Sequence, residues 1–268
     1  MSWDLVQSTL KFQTSCYWML HLQLKVKNQL LSALIDKLYG EIETTTDLIA
    51  YFSSRAILTP VNIEVYQVNE IVAERMSTSA HIYTSQDSVE DATEDLSGLF
   101  PIEYLNSLNF SGIPPHNLTL KVGMPVMLIR NLNSREGLCN GTRLQINNLR
   151  DHCIQATIMT GAYCGRIVFV PRILFITEDK DKKFPFRLRR KQFPIIPAFA
   201  MTINKAQGQS LHHLGLYLPS PVFSHGQLYV ALSRVTSRNN VTIAIENPLR
   251  DEEGSVITKN VVYRQVFN

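Results

Sequence analysis

Cysteine is scarce in this chain: there are four in 268 residues, Cys16, Cys139, Cys153 and Cys164. None forms a CxxC pair and no histidine spacing completes a zinc pattern, so neither a structural zinc site nor a disulfide framework is expected. Reduced thiols in an intracellular protein are the plain reading. Long apolar runs are missing as well. None reaches the ~18 residues of a membrane span, and the first residues lack the basic region and small-residue cleavage site of a secretory signal. A soluble intracellular protein with no membrane partner is the expectation. Charge of one sign is not in excess: the net charge is +3, too small to argue by itself for a polyanionic partner. None of the twelve glycines is followed by lysine, so the sequence holds no GxxxxGK[ST] loop of the kind that cradles nucleotide phosphates. No apolar strand ends in Asp-Glu either; the one such pair, Asp251-Glu252, follows Asn-Pro-Leu-Arg.

What is present reads as a folded chain of one large or two modest domains, 45% hydrophobic and 18% charged. Leu30, Leu31, Leu34, Ile35 and Leu38 recur at helical spacing and stop at Gly40, so residues 1–50 are expected to form a helical segment. Ala56-Ile57-Leu58 reads as a short buried strand. Thr59 is predicted to cap a helix with Pro60 in its first turn and Val65, Val68 and Val72 along its buried face. Residues 76–117 read as loop with one short helix, Pro101 to Leu108. Residues 118–176 carry at least four β-rich runs separated by Asn, Gly and Asp, which predicts a small antiparallel barrel. Alternation then returns: a strand at Ala198 to Met201, a turn and short helix, the strand Leu-Gly-Leu-Tyr-Leu-Pro, a helix capped by Ser224, and the strand Val-Thr-Ile-Ala-Ile-Glu-Asn. Strands alternating with helices predict a parallel α/β sheet. The expected organisation is a helical segment over 1–50, a first part of the α/β lobe over 51–117, an inserted β-rich module over 118–178, and the rest of the lobe over 179–268.

Chemistry concentrates in "FAMTINKAQGQSL", Phe199 to Leu211. Thr202, Asn204, Lys205, Gln207 and Gly208 fall just past a strand, where open parallel sheets bind their ligands. Donors, one cation and a glycine at that place suit an anion; they also suit a polar turn that caps a helix. Arg234 leaves the end of a later helix, where it could reach a phosphate or pair locally. A basic cluster, Lys180, Lys182, Lys183, Arg187, Arg189, Arg190 and Lys191, is more often a solvated face than an anion patch.

"AFAMTINKAQGQSL" followed by "FSHGQLYVALSRVTS" resembles motifs V and VI of superfamily-one DNA helicases, most closely the PIF-one-like family with its RecD and Helitron relatives. "ILTPVNIEVYQVNE" is similar to that family's motif IV, "LNSLNFSGIPPHNLTLKVGMPVMLIRNLN" with "GLCNGTRLQI" to its inserted small barrel, and "KNVVYRQVF" to its C-terminal tail. The resemblance implies a RecA-like α/β lobe, of the P-loop NTPase type, interrupted by a Src-homology-like 2B barrel. It implies that Thr202, Asn204 and Lys205 lie along single-stranded DNA, with Asn62, Arg187 and Arg189 beside that path. Gln207, Gly208 and Arg234 would serve the γ-phosphate of ATP, Arg234 as the catalytic arginine finger. Asn204 stands where the family often has His. Tyr229 lies inside motif VI, either as part of its function or simply as packing.

The resemblance also implies what these residues do not supply, a first lobe that holds ATP and Mg²⁺. The expectation is therefore the C-terminal half of a helicase, from a truncated copy, a split gene or an incomplete gene model. ATP turnover would then need a separate N-terminal lobe as partner. A single-stranded DNA-binding module without ATPase, or a degenerate protein, are the alternatives. Unwinding of 5′ to 3′ polarity, a nuclear or else mitochondrial location, and roles in repair, recombination and telomere maintenance are implied by the resemblance alone.

Overall fold

The run Arg-Ala-Ile-Leu-Thr is apolar on both faces, the mark of a strand covered on both sides. In the structure, a computed structural model that describes residues 5–11, 27–90, 100–177, 184, 186–246 and 248–263, it forms β2 (Arg55–Thr59), with Ala56, Ile57 and Leu58 fully buried. β2 lies inside a four-stranded sheet, in the order β13 (Ala200–Thr202), β2, β14 (His213–Leu218), β15 (Val241–Ile245). Every pairing in it is parallel. Thr202 is in register with Thr59, and Leu218 with Ile245.

Helices cover this sheet as apolar crossovers must. α1 (Lys27–Tyr39) lies on β14 and β15, and α3 (Asn62–Glu74) on β13 and β2. Leu34, Ile35, Val68 and Val72 are fully buried, as their helical spacing requires. α2 (Leu48–Ser53) is capped by the Asp47 side chain and feeds β2. Tyr39, Tyr51, Phe52 and Phe199 pack edge to face and tilted, and the Tyr39 hydroxyl donates to the Phe199 carbonyl at 2.6 Å. α5 (Gln227–Leu232) rests on the 3-10 turn Ile203–Ala206. A small antiparallel sheet joins β1 (Leu5–Lys11), β17 (Val256–Tyr263) and β16 (Leu249–Arg250).

These elements make one compact unit, residues 1–76 with 198–268; the other runs from Ser77 to Pro197. The second unit holds β3 (Ala80–Thr84), β4 (Gln86–Val89), α4 (Ile102–Ser107), β5 (Asn117–Lys121), β6 (Pro125–Leu128), β7 (Arg143–Leu149), β8 (Cys153–Ile158), β9 (Ile167–Pro171), β10 (Ile173–Ile176), β11 (Leu188–Gln192) and β12 (Ile195–Pro197). They form three antiparallel sheets, β12-β6-β7-β8-β9, β10-β11-β4 and β3-β5. The β-rich run over 118–178 falls inside this unit, which begins earlier and ends later.

Several local expectations need correction. Residues 5–11 are a strand, not helix, because they pair with β17, a partner at the far end of the sequence. Thr59 caps no helix: its backbone is used in the ladder, it is fully buried, and α3 starts at Asn62 after an extended Val61 without a side-chain cap. The loop-rich stretch 76–117 also holds two strands among its described residues. β3 and β4 are there, polar in sequence because most of their side chains face solvent. Ser224 is not the cap of the next helix; Gly226, at φ 69°, precedes α5. That left-handed turn is one glycine adopts without steric penalty.

The basic cluster divides. Lys180, Lys182 and Lys183 lie outside the described residues. Arg190 points inward from β11, and its side chain and that of Asp87 are both fully buried, paired at 2.7 Å. The same guanidinium donates to the carbonyls of Leu105, Leu108 and Pro114, tying α4 and the loop after it to β4 and β11. Arg189, one residue earlier, is exposed. Arg190→Ala should thus cost about 3–5 kcal/mol, because it leaves a buried carboxylate without its partner, whereas Arg189→Ala should stay within roughly 0.5 kcal/mol. Urea unfolding of the two variants, side by side, checks the contrast.

Candidate functional site

Thr202 ends β13, and the chain then folds into one 3-10 turn rather than a helix. The turn is anchored by two apolar residues, Ile203 and Ala206, both fully buried. Between and after them Asn204, Lys205, Gln207 and Gly208 are exposed. The alternation explains the local fold: small or branched apolar residues hold the turn down while every polar group faces out. Gly208 sits at φ 82°, a left-handed conformation that a side chain would strain. Its Cα is therefore open to close approach by a ligand. Lys205 is exposed at its surface, yet the protein around its stem pushes the ammonium pKa down from lysine's ordinary value by desolvation.

Arg234 follows α5. Its Nε donates to the Val230 carbonyl at 2.9 Å, one terminal nitrogen to the Gln209 carbonyl at 3.2 Å, and the other to the Ser233 hydroxyl at 2.9 Å. The Leu211 amide donates back to the Arg234 carbonyl at 2.9 Å. The Gln209 side chain reaches the Lys205 carbonyl at 3.5 Å. The two motifs far apart in sequence are thus one hydrogen-bonded body. Arg234 has no carboxylate partner among the described residues, so the local salt bridge open to it in sequence does not form. Part of its fork of N–H donors stays uncommitted.

Asn62 is the first residue of α3 and exposed, on the sheet edge where Thr59 and Thr202 end. Arg187 and Arg189 belong to the second unit. Arg187 pairs with Glu90 at 2.7 Å and donates to the Thr177 carbonyl; Arg189 is exposed in β11, in register with Ser88. Tyr229 is not a packing residue: it is 75% exposed. Among the described residues no group of three or more His, Cys, Asp or Glu could hold a metal ion, and no helix is long and apolar enough to cross a membrane.

Three supporting residues escaped the sequence reading. Asn69, buried in α3, exchanges hydrogen bonds with the backbone of Ala200. Gln227, buried at the start of α5, accepts from the Phe223 amide at 3.1 Å and holds the approach to the helix. The Tyr217 hydroxyl donates to Glu246, joining β14 to the residue after β15; burial first, then this carboxylate, raises the phenol pKa far above tyrosine's ordinary value. For Asn69 a signal existed: an amide inside the apolar stripe of Val65, Val68 and Val72.

Comparison with known proteins bears on this arrangement. A family described as "DNA helicase Pif1, 2B domain" matches residues 103–149, and one described as "Helicase" matches residues 180–264. The ATP-dependent DNA helicase PIF1 of Homo sapiens is 27% identical over 186 residues, which is 69% of this chain and 26% of that protein. The chain thus spans about a quarter of the length of curated relatives of this kind. Among solved structures, the Pif1 helicase of Candida albicans aligns with a TM-score of 0.55 at 24% identity, covering 81% of this chain and 53% of that one. The Pif1 helicase of Bacteroides, in complex with ADP-AlF3 and single-stranded DNA, aligns with a TM-score of 0.52 at 23% identity, covering 81% and 45%. At such identities the structural likeness speaks for the fold, a RecA-like α/β lobe with a parallel sheet. The 2B match falls inside the second unit and the helicase match takes in Thr202 to Arg234, and it is to the Pif1-type DNA helicases that this chain, in sequence and in fold, is similar.

Proposed function

We propose that this chain is the C-terminal motor lobe, with its 2B-like insertion, of an ATP-dependent DNA helicase that couples ATP hydrolysis to duplex unwinding. The observation that carries the reading is the hydrogen bonding of Arg234 to the loop that exposes Lys205. One rigid body then faces two anions. Thr202, Asn204 and Lys205, with Asn62, track the phosphates of single-stranded DNA; Arg187 and Arg189 are assigned to the same DNA. Gln207, Gly208 and Arg234 face the γ-phosphate. The residues present suit a phosphate: the bare Cα of Gly208 and the uncommitted donors of Arg234 can approach its oxygens.

ATP with its Mg²⁺ supplies the phosphoryl group to be transferred. Arg234 stabilises charge on that group, and a first lobe, from a separate chain or segment, supplies the phosphate cradle and the metal's protein ligands. A nuclear site of action, or a mitochondrial one, follows from the same reading. The rival, a module that holds single-stranded DNA without turning over ATP, is favoured by the lack of a GxxxxGK[ST] loop in these 268 residues. Turnover with a first lobe supplied separates the two.

The 268-residue chain is expected to show no DNA-stimulated ATPase by phosphate release. With a first lobe supplied, turnover should appear, and Arg234→Ala should lower kcat by on the order of 10³ or more, as arginine fingers do, while single-strand affinity stays near wild type. Arg234→Lys should not restore it, since an ammonium lacks the bidentate fork. Turnover that survives Arg234→Ala removes the arginine-finger role from this residue, whereas no turnover even with a first lobe supplied removes the motor reading and leaves the binding module.

Single-strand binding should weaken with salt, with a slope of about −0.7 per phosphate neutralised, and Lys205→Ala should reduce that slope evenly across sequences. Strongly sequence-dependent binding would count against it. The lowered pKa of Lys205 adds a sign. The unfolded chain holds this proton more tightly than the folded one, so the cation destabilises the fold at neutral pH and the penalty fades as pH rises toward lysine's ordinary 10.5. Lys205→Met should therefore stabilise the free protein slightly at neutral pH, by under about 1 kcal/mol at this exposed position, with the gain vanishing in alkali. Denaturation midpoints at the two pH values measure it.

A further inference from the structure

β13 is three residues long and, among the described residues, has a single ladder neighbour, β2. The Ile57 amide bonds to the Phe199 carbonyl at 3.0 Å. Backbone groups alternate in direction along a strand, so those of Ala200 look away from β2, toward the free edge. There the Asn69 side chain takes both: the Ala200 amide donates to Asn69 Oδ1 at 2.8 Å, and Asn69 Nδ2 donates to the Ala200 carbonyl at 3.2 Å. The carboxamide stands where the backbone of a further strand would stand. Helix α3 cannot do this with its own backbone, whose hydrogen bonds are internal.

The apolar contacts of Val65, Val68 and Val72 hold α3 against the sheet, but they are non-directional and tolerate sliding. A reciprocal pair of hydrogen bonds does not. It fixes α3 along the direction of β13, and both elements carry exposed polar groups to the same edge: Asn62 at the start of the helix, Thr202 to Lys205 at the end of the strand. We infer that Asn69 is a positioning residue, which sets the register between Asn62 and the Lys205 loop by acting as the missing neighbour of β13. A slip of one residue along a strand is about 3.3 Å, enough to break a hydrogen bond to a phosphate oxygen. The inference rests on the proposed contact of both segments with single-stranded DNA.

The test uses the full chain and a fluorescent oligothymidylate, with affinity read by anisotropy across a salt series for wild type, Lys205→Ala, Asn69→Ala, Asn69→Asp and the Asn69→Ala/Lys205→Ala double variant. Asn69→Ala should weaken binding roughly tenfold, the loss of about one charge-assisted contact, and should lower the salt slope as Lys205→Ala does. The double variant should bind no worse than the weaker single variant, because both changes remove the same contact. Asn69→Asp keeps the acceptor for the Ala200 amide but sets a buried carboxylate oxygen against the Ala200 carbonyl, so it should weaken binding at least as much as Asn69→Ala. Each variant should melt cooperatively. Additive losses, or normal binding by Asn69→Ala where wild-type binding depends on Lys205, overturn the inference and leave the proposed function standing. Collapse of both Asn69 variants in thermal melts overturns it too, since the amide would then serve the fold alone. Wild-type binding that does not depend on Lys205 overturns the underlying reading, and with it the loop that Asn69 is said to position.

Discussion

The parallel pairing of β13, β2, β14 and β15 is the constraint on which the rest depends. Parallel strands cannot be joined by tight hairpins, so each return must run over a face of the sheet. That requirement makes the strands apolar on both sides and gives the helices their buried stripes. It also delivers the loops after β2 and β13 to one edge. The polar groups of the sequence collect there because nothing else on this sheet can accommodate them: its faces are covered. Asn62, Thr202 and Lys205 are neighbours through topology, though more than a hundred residues separate the first from the others in the chain. The same constraint leaves an end strand with one side unpaired, and a buried amide from α3 supplies what the ladder lacks.

The second unit is organised by charge rather than by alternation alone. Arg190 is fully enclosed, and its guanidinium gathers Asp87 and three backbone carbonyls around it. The Ser85 hydroxyl and His116 ring add to the same polar centre, with Ser85 donating to Asp87. An arginine used in this way satisfies groups that loops would otherwise bury without partners. Its neighbour Arg189 shares the composition and none of the role, since successive side chains of a strand point to opposite faces.

Much of the parallel sheet was legible in the sequence because its signals are local. Ala56-Ile57-Leu58 is a dense apolar run, and Val65, Val68 and Val72 keep helical spacing over about two turns. What stayed hidden depends on distant partners. β1 has meaning only beside β17, and β3 and β4 show too few buried side chains to announce themselves. The short strand β4 is defined by its place beside β11, a hundred residues on. The candidate site was legible as a list of residue types and illegible as a connected object. No spacing rule says that the Arg234 guanidinium meets the Gln209 carbonyl, or that a polar residue on a helix stripe is there to meet a strand's backbone.

The first unit is assembled from two stretches of sequence, residues 1–76 and 198–268, with the second unit between them in the chain. Its innermost early strand, β2, has neighbours only in β13 and β14. On a ribosome, that apolar strand is made first and must wait for the whole intervening unit before either neighbour exists. At ordinary elongation rates the wait is on the order of ten seconds. During it the insertion, whose sheets draw only on its own residues, can fold, while β2 and α3 remain without their sheet. The order of synthesis therefore lets the inserted unit fold before the parallel sheet is complete, and the exposed half-lobe is the interval in which this chain is most open to aggregation or to capture by a chaperone.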